Sequence, residues 1–65
     1  MITTAFVTRK LRAIEKRNHI YFTENNLKIL DCVLIVGNKL VSVHIIKEDL
    51  PYEIRYDIET LFWRT

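Results

Sequence analysis

Apolar residues recur along this chain with two different periods. In TTAFVTRKLRAIEKRN, Val7, Leu11 and Ile14 stand four and three apart, the spacing that lines one face of a helix. The pattern predicts a helix over about residues 4–17. Thr3 or Thr4 can cap its start. Arg and Lys crowd its last turn, where the helix dipole favours them, and Asn18 suits a left-handed stop. The stretch ITTAFVT also has the Thr, Phe and Val content of a strand, which is the competing reading of the first residues. From His19 onward the period shortens. HIYFT reads as a short strand, ENN as a turn, LKILDCVLIV as a long strand and KLVSVHII as its return partner. GN between the last two suits a two-residue type II′ hairpin loop. After the loop KED the helical period returns over residues 50–63, where Ile54, Ile58, Leu61 and Phe62 follow i, i+4, i+7 and i+8. Asp49 is a candidate cap there, and Pro51 is tolerated in a first turn. The expected architecture is a single α+β domain over residues 1–65, in the order α-β-β-β-α, with a three-stranded antiparallel sheet and two helices.

The hairpin is apolar on both faces. With Gly37 and Asn38 as the loop, Val36 faces Lys39, Leu34 faces Val41, Cys32 faces Val43 and Leu30 faces Ile45. Directly paired residues share a face. The other face then carries Ile35 with Leu40, Val33 with Ser42, Asp31 with His44, and Ile29 with Ile46. An antiparallel sheet with one solvated face should alternate more cleanly than this. The second face therefore meets another chain, or a helix covers each side. The second helix repeats the pattern: Tyr52, Tyr56, Glu59 and Trp63 lie opposite its core stripe. Tyr and Trp bury area at low entropy cost and concentrate at interface hot spots. Tyr52, Tyr56, Glu59, Trp63, Ile29, Val33, Ile35 and Leu40 are accordingly the candidate protein-binding residues, set against the simpler reading of half-exposed rings lying on a neighbouring helix.

Composition narrows the classes. A chain of 65 residues buries only about 60% of the surface it exposes when unfolded, so its own core is marginal. Small domains usually add disulfides, a metal or a second subunit. Cys32, the sole cysteine, cannot form an internal disulfide, which favours a reducing compartment. Cys32, His19 and His44 have no recognised zinc spacing, so neither metal nor cofactor is expected. Self-association or a target protein remains as the aid. The stretch LKILDCVLIVGNKLVSVHII has the length of a membrane span, but Lys28, Asp31 and Lys39 interrupt it. Asp or Lys at a bilayer centre costs about 2.5–3.5 kcal/mol, so no span is expected. The first dozen residues show no signal-peptide h-region. The expected place is the cytoplasm, of a cell or of an infected host.

Charge is uneven. The net charge is +2 overall, and +4 over residues 1–28, where six bases face Glu15 and Glu24. Arg9, Arg12 and Lys16 share the side of the first helix opposite its apolar stripe. Such a face can neutralise phosphates, although a charge run is commonly just a solvated surface. Asp31 and His44, as cross-strand neighbours, could do acid–base work, but no nucleophile joins them: Cys32 points to the other face. NHIYF followed by VSVHIIKEDLPYEIRYDI resembles the histidine strand and C-terminal end of the HicA-type messenger-RNA-cleaving toxins. That resemblance implies a double-stranded-RNA-binding-like α-β-β-β-α fold and puts His19 at the catalytic position. Arg17 and Asn18 stand where that family has Gly-Ser, and under half the chain is covered. The main expectation is a non-enzymatic, self-associating protein-binding module, a regulator or stoichiometric inhibitor of a protein target. Small, motif-free chains with excess apolar surface suit that work, including those encoded by phages and mobile elements. The alternative is a nucleic-acid-binding regulator or small ribonuclease using Arg9, Arg12 and Lys16.

Overall fold

A computed structural model of the chain describes residues 3–37 and 40–62. Helix α1 runs Thr4–Arg17, helix α2 His19–Glu24, a 3₁₀ turn Ile29–Asp31, strand β1 Val33–Gly37, strand β2 Val41–Ile45 and helix α3 Tyr52–Glu59. The domain is α+β, as its two periodicities imply, but among the described residues the sheet has two antiparallel strands and not three.

The first helix forms where the apolar spacing puts it. Val7 and Leu11 are fully buried and Ile14 nearly so. Thr3 caps the start, its Oγ1 accepting the Phe6 N–H at 3.1 Å, which satisfies one of the free donors of the first turn. Asn18 is not left-handed, with φ −117°. Its amide nitrogen donates to the Ile14 carbonyl at 2.8 Å, and its own carbonyl accepts the Phe22 N–H at 3.3 Å. The chain therefore turns from α1 straight into α2.

HIYFT is thus helical and not a strand. Strand propensity in five residues is weak against tertiary packing. The helical conformation buries Phe22, sets the Tyr21 ring edge-on to it at 5.3 Å, and leaves Ile20 exposed. The left-handed stop comes eight residues later than expected, at Asn26 with φ 51°. There the Leu27 N–H donates to the Phe22 carbonyl at 2.8 Å and the Asn26 N–H to the Thr23 carbonyl at 3.2 Å, the paired closure of a Schellman end.

The long strand expected over residues 27–36 is shortened to β1 by the 3₁₀ turn. Glu15 on α1 reaches over to accept the Ile29 N–H at 2.6 Å, and the Cys32 N–H closes on the Ile29 carbonyl at 2.9 Å. This turn drives Ile29 and Cys32 fully into the core. The core continues through Val33, Leu50, Ile54, Ile58 and Leu61. In α3, the N-cap position belongs to Pro51 and no side chain caps it; Asp49 instead pairs with Lys47 at 2.9 Å.

Register is the main correction. Val33 pairs with Ile45, Leu34 with His44, Ile35 with Val43, Val36 with Ser42 and Gly37 with Val41. The connection spans residues 38–40, and each partner is displaced by three from the two-residue-loop register. An odd displacement exchanges faces. Val41, Val43 and Ile45 now share the inner face with Val33 and Ile35, all packed on the core. Leu34, Val36, Ser42 and His44 form the outer face. A Cβ at Gly37 would lie 2.5 Å from Thr4 Cγ2 at the head of α1, so a side chain at this end of the hairpin would force the threonine to shift.

Candidate protein-binding surface

Two apolar surfaces are left uncovered. The first is the outer face of the hairpin, where Leu34 is 53% and Val36 43% exposed. Leu40, in the connection, is 84% exposed, and Ile46, just past β2, is 59% exposed. The second is on α3. Tyr52 and Tyr56 stand one turn apart and stack with ring centroids 6.0 Å apart and planes at 29°, an offset arrangement favourable to aromatic rings. Tyr52 is 74% exposed and Tyr56 45%. Tyr56 also lines a groove between α1 and α3 together with Lys10, Ile14, Arg17, Asp57 and Leu61. Arg17 and Asp57 approach to 3.5 Å across that groove, an exposed pair worth little in stability.

The candidate residues divide accordingly. Tyr52, Tyr56, Glu59 and Leu40 are exposed, and Ile35 is half-buried. Ile29 and Val33 are enclosed in the chain's own core, so they offer no surface. Trp63 lies outside the described residues. Leu34 and Val36 belong to the exposed set in the place of Ile29 and Val33. The clean apolar–polar alternation of VSVHI was the signal for this: it marks residues 41, 43 and 45 as one face, whatever the loop length.

Polar chemistry is dispersed. Asp31 and His44 are not neighbours, because Asp31 sits in the 3₁₀ turn and His44 opposite Leu34. The His44 Nε2 lies 3.2 Å from Ser42 Oγ on the outer face. The thiol of Cys32 is buried, and burial pushes its pKa up, with Lys47 opposing. It is therefore a neutral core group rather than a nucleophile. The Lys47–Asp49 pair raises the lysine and lowers the aspartate, chiefly through their hydrogen bond. Among the described residues no cluster of three or more His, Cys, Asp or Glu could hold a metal ion.

Arg9, Arg12 and Lys16 are all exposed on α1. Arg12 and Lys16 also line an open groove of about 590 Å³ between α1, α2 and the 3₁₀ turn, which adds His19 and Lys28 to them. Glu15 and Asp31 line the same groove and offset part of the positive charge. His19 heads the short helix α2 and not a strand, which removes the strand setting that the toxin resemblance implies for it.

No family model, no curated protein and no solved structure matches the chain. Among the described residues, no helix is long and apolar enough to cross a membrane.

Proposed function

We propose that this protein is a non-enzymatic, self-associating binding module that regulates or blocks a protein target. One observation carries the reading: the outer hairpin face, Leu40, Ile46 and the tyrosine pair leave large apolar groups in water, while no catalytic constellation is assembled among the described residues. Single exposed apolar residues are ordinary, but patches of them on a small chain mark contact surfaces. Covering these exposed apolar groups is what a subunit or target would do. Light scattering at micromolar concentration is expected to give at least twice the 7.8 kDa chain mass. A strict monomer with ordinary thermal stability would refute self-association.

The basic groove supports a second reading, in which the chain binds nucleic acid. Arg9, Arg12 and Lys16 extend along α1 beside His19 and Lys28. If they grip phosphates, affinity falls steeply with salt as counterions are released. Changing Arg9, Arg12 and Lys16 together to Glu should then abolish binding to RNA and DNA in a filter-binding titration. Absence of binding by the unmodified chain at low salt removes this reading, and intact RNA after incubation removes its ribonuclease form.

A further inference from the structure

The groove between α1, α2 and the 3₁₀ turn gathers fixed cations from distant parts of the chain. Arg12 and Lys16 come from α1, and Lys28 from the segment that follows α2. All three are exposed. Among the described residues none of them pairs with a carboxylate; the ion pairs seen are Arg17 with Asp57 and Lys47 with Asp49. Glu15 stands between Arg12 and Lys16 in the sequence but is committed elsewhere, its Oε1 accepting the Ile29 N–H at 2.6 Å. Arg12 and Lys28 meet again beside Glu15 in an adjoining hollow of about 380 Å³. Asp31 is then the one carboxylate of the groove without a hydrogen bond among the described residues.

A cleft with an excess of one sign of charge focuses the field and draws in the opposite ion. Three cationic heads match the three free oxygens of a phosphate group better than the two oxygens of a carboxylate. The guanidinium fork of Arg12 suits two of those oxygens at once, and the lysines act as point charges. Thr23 and Asn26 add a hydroxyl and an amide to the same lining. The volume of about 590 Å³ lies within the range of small-ligand pockets, about 300–1,000 Å³.

We infer that this groove binds a phosphate group, held by Arg12, Lys16 and Lys28. The inference goes beyond the nucleic-acid reading. It makes Lys28 a contact and leaves out Arg9, which lines a neighbouring depression with Thr4 and Thr8. It also holds for a free phosphate ester as well as for a nucleic-acid backbone.

The test is an amide-shift titration of the isotope-labelled full chain at low salt, with tripolyphosphate and, separately, with a single-stranded RNA of about ten nucleotides. Tripolyphosphate should shift the amides of Arg12, Lys16, Thr23 and Lys28 and leave those of Tyr52 and Tyr56 in place. Lys28→Ala should weaken its binding about fivefold or more, the worth of one charge-assisted contact. Lys10→Ala removes an exposed base of α1 that lines the groove toward α3 instead, and should bind as the parent does. Both changes remove exposed side chains, and the same spectra report that each variant is folded. With the RNA, the slope of log affinity against log salt should fall by about 0.7 in Lys28→Ala, the share of one single-strand phosphate contact. Tripolyphosphate binding without RNA binding assigns the groove to a free phosphate ester and removes the nucleic-acid reading. Equal weakening by Lys10→Ala and Lys28→Ala shows diffuse attraction and overturns the groove. RNA binding that Lys28→Ala leaves unchanged also overturns it, and leaves the nucleic-acid reading on the outer face of α1. Binding of neither probe overturns both.

Discussion

Ile58→Ala is expected to unfold a substantial share of the chain at room temperature, while Tyr56→Ala leaves it folded. Both residues belong to α3 and stand two positions apart, so they differ in face and little else. Ile58 is 2% exposed and packs in the cluster of Val7, Leu11, Ile54 and Leu61. Removing its side chain loses transfer energy and leaves a cavity, together about 2–5 kcal/mol. A domain of this size has roughly 3–10 kcal/mol in total, so such a loss is a large part of what holds it. The Tyr56 ring is open to water on one side and stacked on Tyr52 on the other. Its truncation forfeits an aromatic contact of about 0.5–1.5 kcal/mol and opens no cavity. Against a partner seated on α3, the same truncation should cost about 2 kcal/mol or more in binding. Urea unfolding of both variants, paired with association measured per folded molecule, separates the two roles. If Tyr56→Ala unfolds the chain as severely as Ile58→Ala with association unchanged, the tyrosine pair is core and the α3 contact surface fails.

Helix α1, and α3 in its core-facing stripe, were legible because their information is local, although α3 spans Tyr52–Glu59 and not the expected residues 50–63. Val7, Leu11 and Ile14 define a stripe by spacing alone, and the wheel of α3 separates Ile54 and Ile58 from Tyr52 and Tyr56 before any contact is known. Each stripe then meets the side the core occupies. The middle of the chain resisted because its structure is set from elsewhere. The turn at Ile29 is held to α1 by a carboxylate from fourteen residues earlier, which takes its N–H. The hairpin register is misplaced by assuming a two-residue loop, although the alternation of VSVHI marks the faces, and the close approach of Gly37 to Thr4 is a contact with α1 that lies outside the hairpin. For α2, residues of strand-like type are helical because Asn18 carries the chain on from α1 and Phe22 finds the core.

The register error also decided which contact residues were named. Taking the loop as Gly37 and Asn38 put Val33 on the second face and Leu34 on the first. With Gly37 paired to Val41, the outer face holds two large apolar residues in β1 and two polar ones in β2. The opening ambiguity of the sequence, apolar residues on both faces of one hairpin, thus concentrates in β1.

Glu15→Ala should destabilise the fold by roughly 1.5–3 kcal/mol, the range for a hydrogen bond to a charged group. Glu15 is the sole side chain seen to tie α1 to the 3₁₀ turn by a hydrogen bond among the described residues, its Oε1 accepting the Ile29 N–H at 2.6 Å. So short a contact is characteristic of a charge-assisted bond. The Ile29 side chain is fully buried beside it, so its amide is poorly placed to take a water in exchange. Helix propensity argues the other way: Ala is the better helix former, by a few tenths of a kcal/mol. A net loss therefore reports the contact and not the helix. Glu15→Gln keeps an acceptor oxygen without the charge and should lose about 1 kcal/mol, the ordinary value for a neutral bond. The measurement is urea unfolding of the three proteins together with hydrogen exchange at the Ile29 amide, which should become faster in the order parent, Gln, Ala. Because the turn delivers Cys32 to the core and Val33 to the start of β1, exchange should also quicken at the Ile46 amide bonded to Cys32. Parent-like stability in Glu15→Ala, with the Ile29 amide as protected as before, would show that the turn forms from its own residues and that the carboxylate merely leans on it.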